Sequence, residues 1–385
     1  MSRRLRIVVA GYIVRGPLGG LAWHHMQYVL GLARLGHDVY FVEDSEDYAA
    51  CYDPARDALS TDPAYGLNFI ADAFLRLGLT ERWAFHDAHA ARWHGPAAPR
   101  VLGICANADL LLNLSGVNPL RDWLAEIPAR AFVDTDPAFT QIRHLTDADA
   151  RALAARHTTF FTFAEKIGQS DCLVPSDGFP WQTTRQPVVL EAWPVTAGRA
   201  AGRWTTVMQW DSYRARVYAG RRYGMKSESF ADYAELPARA GGDVFELALG
   251  SASAPRELLE SKGWRLRNPL EVTRDPWTYQ AYIRESKAEW SVAKQGYATS
   301  RSGWFSERSA VYLASGRPVV TQETGFSETL RTGAGLLAFS TIDEALDAVA
   351  EINRRYEFHC RAAREVAAEF FDSGRVLSHL VERAL

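Results

Sequence analysis

Residues 6–44 constrain this chain more than any other stretch. Arg6-Ile7-Val8-Val9-Ala10 is an apolar run with no polar alternation, the mark of a strand covered on both faces. A loop containing Gly16, Gly19 and Gly20 follows. Trp23, Met26, Val29, Leu30 and Leu32 then recur at helical spacing, and Gly36 ends the helix as a C′ glycine does. Val39 to Val42 is the next apolar run, closed by Glu43-Asp44. Strand, glycine loop, helix and strand make a βαβ unit with parallel strands. A chain that opens this way is expected to build a parallel sheet with helices on both faces.

The alternation continues. Strands are expected at 109–114, 131–134 and 158–163, with a helix over 65–77. The His- and Ala-rich stretch 86–99 has no clean period. Pro175, Pro180, Pro187 and Pro194, then Gly198 and Gly202, mark a join between about 173 and 203. Strands resume at 204–208, 245–249, 289–293 and 317–321, and the tail reads as amphipathic helices. The expected architecture is α/β, two Rossmann-like domains facing across a cleft. Residues 1–190 form the first, 191–355 the second, and the helices of 356–385 pack back on the first. The join is the expected hinge, on the ground that few contacts cross it.

A chain of 385 residues with 47% hydrophobic and 23% charged residues has the composition of a packed globular protein of this size. A net charge of −3 gives no electrostatic footprint for nucleic acid. Cys51, Cys105, Cys172 and Cys360 are scattered without a CxxC pair, as in a reduced cytoplasmic protein. No apolar run approaches the roughly 20 residues that span a bilayer. Cytoplasmic localisation is the expectation.

Three constellations bear chemistry. The first is the loop Gly16 to His25. It is neither a GxGxxG fingerprint nor a P-loop, because the glycine spacing and a following Gly-Lys-Ser/Thr are missing. Gly19 and Gly20 allow close backbone approach to a ligand, and the helix they open presents free N–H groups. His24 and His25 lie in its first turn, where one imidazole can take a proton from an acceptor hydroxyl; the alternative is that one packs under the loop and the other is solvated. The second is Asp134-Thr135-Asp136-Pro137 at a strand end: Asp136 is a candidate base, Asp134 and Asp136 are a candidate metal pair, and both are candidate caps of the next helix.

The third is the block from Lys294 to Glu328. Lys294 and Arg301 precede a helix that carries Ser306, Glu307, Arg308 and Ser309 at its start. Cations, hydroxyls and a helix N-terminus together suit a diphosphate. Trp210 and, downstream, Lys226 lie where a donor phosphate or sugar is reached, and Trp210 equally suits a core position. No cluster with metal-ligand spacing and no Gly-x-Ser-x-Gly is present.

Gly19-Gly20 through His24, Leu35-Gly36-His37-Asp38-Val39, and Ala314-Ser315-Gly316-Arg317-Pro318-Val319-Val320 with Gly325 and Glu328 resemble the two ends of GT-B glycosyltransferases. The C-terminal block is most similar to the group related to the spore-maturation protein CgeB and to family 4-like glycosyltransferases. The resemblance implies an acceptor site on the first half and a nucleotide-sugar site on the second. It also implies a last helix that crosses back, and transfer without a bound metal or other cofactor. Many retaining members carry two glutamates around the loop before the small-residue helix. Gly303 and Val311 stand there in this chain, with Glu307 between them and Glu328 beyond as substitutes.

The function expected is transfer of a hexose-like group from a nucleoside-diphosphate sugar, UDP favoured, to the hydroxyl or amine of a small molecule, glycan or other acceptor. The alternatives are a GT-B sugar-nucleotide 2-epimerase, a non-catalytic nucleotide-sugar-binding module, and a metal-dependent GT-A enzyme using Asp134 and Asp136.

Overall fold

The computed structural model describes residues 3–385. Two parallel sheets form its framework. The first has eight strands, in the order Trp181–Thr183, Thr159–Thr162, Ala129–Asp134, Leu110–Leu114, Arg6–Ala10, Asp38–Asp44, Trp83–Asp87 and Arg92–His94. All neighbours run parallel except the last pair, which is antiparallel. Val8 pairs with Tyr40 on one side and Leu111 on the other, and Ile7 to Ala10 are fully buried. The unalternated run is therefore the centre of the sheet.

The second sheet has six parallel strands, in the order Arg265–Arg267, Phe245–Gly250, Trp204–Gln209, Ala288–Ser291, Val319–Gln322 and Leu336–Phe339. Sequence order reverses beside Arg6–Ala10 in one sheet and beside Trp204–Gln209 in the other. Such switch points open crevices at the carboxyl ends of strands.

Two helices fix how the halves meet. The opening helix, Gly19–Arg34, lies on the first sheet. The helix Glu307–Ala314 belongs to the second half and is capped by Ser306, whose hydroxyl accepts from Arg308 N–H at 3.2 Å. The tail divides its allegiance. Tyr356–Phe370 packs on Glu307–Ala314, whereas Ser373–Ala384 crosses back and packs on Gly19–Arg34. The crossing occurs at Asp372, which pairs with Val188 as a short parallel bridge. A Cβ at Gly31 would strike Leu377 and Ser373, so that glycine sets how closely the last helix sits.

The join is not the loose hinge expected. Val188, Val189 and Trp193 are fully buried, and Trp193 packs on Trp23 from the first half, ring centroids 5.1 Å apart. Backbone bonds also cross: Leu173 N–H to Ser300 O at 2.7 Å and Lys166 N–H to Ser302 O at 3.1 Å. Prolines stiffened the sequence pattern without freeing the chain, because apolar residues between them fill the seam. No helix among the described residues is long and apolar enough to cross a membrane.

Candidate active site

The site is built at the loop after the first strand. Glu43, at the end of the neighbouring strand and fully buried, accepts the N–H groups of Ile13, Val14 and Arg15 at 2.7, 2.8 and 2.8 Å. Burial pushes its pKa up, while Arg15 and those three donors pull it down. The acid at the end of the second strand thus shapes the loop and does not line the cleft. The opening helix follows with its N-terminus against the second half. A Cβ at Gly19 would meet the Asp275 carbonyl and Tyr279, and one at Gly20 would meet the Tyr279 ring. Trp23 Nε1 donates to Pro276 O at 2.7 Å. Gly19 and Gly20 were expected to admit a donor; they first admit the other half of the chain, and Gly20 still borders the cleft.

Between the halves lies a cavity of about 760 Å³. Its first-half wall includes Tyr12, His24, Tyr52, Asp57, Thr135 and Asp136. Its second-half wall includes Lys226, Arg256, Lys294, Ser306, Glu307 and Arg308. The volume matches that of a small-molecule site, and both sheets present their carboxyl ends to it.

The two histidines have different surroundings. His25 is fully buried outside the cavity wall. Its Nδ1 donates to Leu21 O at 2.8 Å, and its Nε2 accepts Tyr12 N–H at 3.3 Å. Both nitrogens are used, and burial holds its pKa well below the ordinary value. It packs under the loop and is unavailable as a base. His24 borders the cavity with Nδ1 2.5 Å from Gln186 Oε1. Burial lowers its pKa too, against a smaller upward pull from Glu307 and the Gln186 bond. It is a neutral imidazole at the cleft.

Asp136 also borders the cavity, but its carboxylate is occupied. Lys294 Nζ lies 2.9 Å from Oδ1, and the hydroxyls of Tyr213 and Tyr297 both donate to the same carboxylate. Three donors from the second half make Asp136 a tether, not a poised base. Its neighbour Asp134 is buried and turned inward, accepting from Thr162 Oγ1 at 2.7 Å and Gln141 Nε2 at 3.0 Å. Burial raises its pKa, and its hydrogen bonds counter the rise. The Asp-x-Asp pair therefore does not converge on one point. Among the described residues no three His, Cys, Asp or Glu side chains converge as a metal site.

The third constellation splits. Ser306, Glu307 and Arg308 reach the cleft. Arg308 pairs with the fully buried Glu289 and donates to Val207 O at 3.0 Å. Lys226 lines the same wall with no carboxylate partner among the described residues. Burial, helped by Arg308 and Lys294, brings its ammonium pKa down to about 7, against an opposing pull from Glu307. Ser309 is fully buried, and its hydroxyl has no partner among the described residues. Arg301 and Glu328 lie away from the cavity. Arg301 adopts a left-handed conformation with φ 47°, which turns it toward Asp171 and Glu328, and Lys166 completes that ion network. Trp210 is a core residue on Phe230, centroids 5.1 Å apart. None of these four is placed to hold a donor.

Gln186, Tyr297 and Tyr12 are cleft residues that the sequence did not single out. Gln186 lies in the proline-rich join, 162 residues from the imidazole it meets, and no local pattern reports such a pairing. Tyr297 had the clearest signal, one helical turn beyond Lys294.

No protein-family model matches the chain, and no curated protein sequence does. Solved structures do match along its whole length. An α-glucosyltransferase in complex with UDP-glucose and DNA containing an abasic site shares 11% identity, covering 99% of this chain and 100% of its own, with a TM-score of 0.59. Anabaena Alr3699/HepE in complex with UDP-glucose shares 11%, covering 99% of each chain, at 0.58. AviGT4, a glycosyltransferase involved in avilamycin A biosynthesis, shares 15%, covering 99% of this chain and 97% of its own, at 0.51. With two facing parallel sheets, a helix that crosses back and these structural neighbours, the chain has the GT-B fold.

Proposed function

We propose that the chain is a glycosyltransferase that moves a hexose from a nucleoside-diphosphate sugar, UDP favoured, to an acceptor hydroxyl or amine without a bound metal. The observation that carries this reading is the N-terminus of the helix Glu307–Ala314 opening on the cleft beside Arg308 and Lys226. As the bond from the sugar to the diphosphate breaks, negative charge grows on the departing phosphate oxygen. Helix N–H groups and two cations are placed to stabilise it. The new bond forms to the acceptor oxygen or nitrogen. For inversion its proton passes to His24, the imidazole at the cleft; for retention His24 positions the sugar.

UDP-glucose is the ligand named for two of the neighbours above, and a UDP-sugar is the expected donor here. Within the fold we place the chain near the CgeB-related and family 4-like group on its Ala314–Val320 block. The neighbour's DNA is not carried over. In the segment 43–62 the carboxylates that reach the surface, Asp47, Asp53, Asp57 and Asp62, outnumber the single cation Arg56, which disfavours a phosphate backbone there. Buried free thiols at Cys51, Cys105 and Cys360 fit a reducing compartment, in line with a cytoplasmic site. Calorimetry with UDP, ADP and GDP, followed by UDP release from UDP-glucose with and without chelator, tests the reading. Binding of none of the three nucleotides overturns it, and loss of release in chelator overturns metal independence.

A further inference from the structure

The amide of Gln186 is oriented by its surroundings. Its Nε2 faces two backbone carbonyls, Pro187 O at 3.0 Å and His24 O at 3.3 Å, so this end is the NH₂ group. The other end, Oε1, has no proton to give. The 2.5 Å contact between Oε1 and His24 Nδ1 therefore requires the hydrogen to sit on Nδ1. In the neutral ring the remaining nitrogen, Nε2, then has a bare lone pair. His24 is 7% exposed, and among the described residues no donor meets Nε2. The cleft supplies what it faces.

We propose that His24 and Gln186 form a hydroxyl-recognition site: Gln186 holds the imidazole as the Nδ1–H tautomer, and the bare Nε2 accepts the O–H of a bound sugar unit. Gln186 is the positioning residue and His24 the group that touches substrate. The site rests on the reading of the chain as a sugar transferase. An amide in the place often filled by a carboxylate has a chemical meaning. A carboxylate stabilises the imidazolium, whereas a neutral amide fixes the tautomer and leaves the ring uncharged.

The groups around His24 agree. Glu307, on the helix of the second half, is the charged group that pulls its pKa upward. His25 and Tyr28 on its own helix pack edge-on at 4.8 and 5.9 Å, Phe163 at 6.4 Å, and none of these carries charge. A hydroxyl or ammonium hydrogen suits the bare nitrogen, and a phosphate or carboxylate oxygen does not.

The tautomer is read directly from proton–nitrogen NMR of protein labelled at histidine nitrogens, with His24 assigned by His24→Asn. The expected result is Nδ1–H with bare Nε2 at about pH 8. Gln186→Met keeps the volume and removes the acceptor. It should populate the Nε2–H form and slow UDP release from UDP-glucose roughly tenfold or more, with UDP affinity within about threefold. Gln186→Glu should move the acid limb of the rate profile up by about one pH unit, which a purely structural lesion does not do. A bare-Nε2 resonance that shifts with UDP-glucose but not UDP assigns the hydroxyl to the donor sugar. One that shifts only when D-glucose is added to the UDP complex assigns it to the acceptor. No shift in either case, or Nε2–H in the unaltered protein, overturns the site. Failure of every nucleoside diphosphate to bind is a separate result that overturns the transferase reading.

Discussion

Lys294 Nζ stands 2.9 Å from Asp136 Oδ1, joining the second half of the chain to the first. The ammonium also lies over three aromatic faces: Tyr213 at 4.4 Å, Phe139 at 5.0 Å and Tyr297 at 5.2 Å. Charge, hydroxyls and rings converge on one cation, so Lys294 closes the cleft, and on the proposed function the diphosphate falls to Lys226 and Arg308.

Asp136→Asn should therefore open the molecule and lower its stability by roughly 1.5–3 kcal/mol, the range for a hydrogen bond to a charged group. The variant should show a lower melting temperature and a larger radius of gyration by small-angle scattering. Its UDP affinity should stay within about threefold. A tenfold loss of affinity without expansion would return Lys294 to the donor site.

On the proposed function Arg308 has two duties, and they can be separated. Arg308→Ala leaves Glu289 charged and alone in the core, a lesion of about 3–5 kcal/mol. Its donor-binding defect will be mixed with instability. Pairing Arg308→Met with Glu289→Gln should restore most of the melting temperature, while calorimetry still finds UDP binding weakened at least tenfold. Normal UDP affinity in the double variant refutes the diphosphate role.

On the proposed function, Lys226 should make nucleotide binding depend on pH. Its pKa is brought down to about 7, chiefly by burial, so the free protein loses this charge as pH rises through 7. A bound diphosphate favours the ammonium and raises that pKa. UDP affinity should thus fall by up to about tenfold per pH unit above pH 7, until the pKa of the complex is reached. Calorimetry at about pH 8 in buffers of different ionisation enthalpy should show nearly one proton taken up per UDP, and at about pH 6 almost none. Lys226→Met should abolish the difference.

Gly19→Ala places a methyl group against the backbone carbonyl of Asp275, which cannot rotate away. We expect a loss of roughly 1–3 kcal/mol and a displaced seam between the halves. Gly20→Ala meets a tyrosine ring that can tilt, so the cost should be smaller. Thermal unfolding of the two variants side by side checks the order.

Both ends of the fold were readable because their strands are buried on two faces. Arg6–Ala10 and Val319–Gln322 announce themselves as apolar runs with a glycine-terminated helix before or after. The middle of the first half was harder. Trp83–Asp87 has an antiparallel edge partner, Arg92–His94, whose three residues carry no period. In the site, the start of the helix Glu307–Ala314 was legible because a cap and an anion-binding terminus share one local pattern. Arg301 and Glu328 were misplaced for a physical reason: a left-handed residue at 301 redirects the chain, and sequence spacing does not report that turn. Ser309 is fully buried within the helix, and its place near the helix start does not report that.

Gly31 meets Leu377 and Ser373 only once the last helix exists. During synthesis the first sheet and its opening helix leave the ribosome long before that helix does. One flank of Gly19–Arg34 then stays bare while the entire second half is made. The first half is thus completed last, and a nascent chain stalled before Ser373 would display an apolar groove to chaperones.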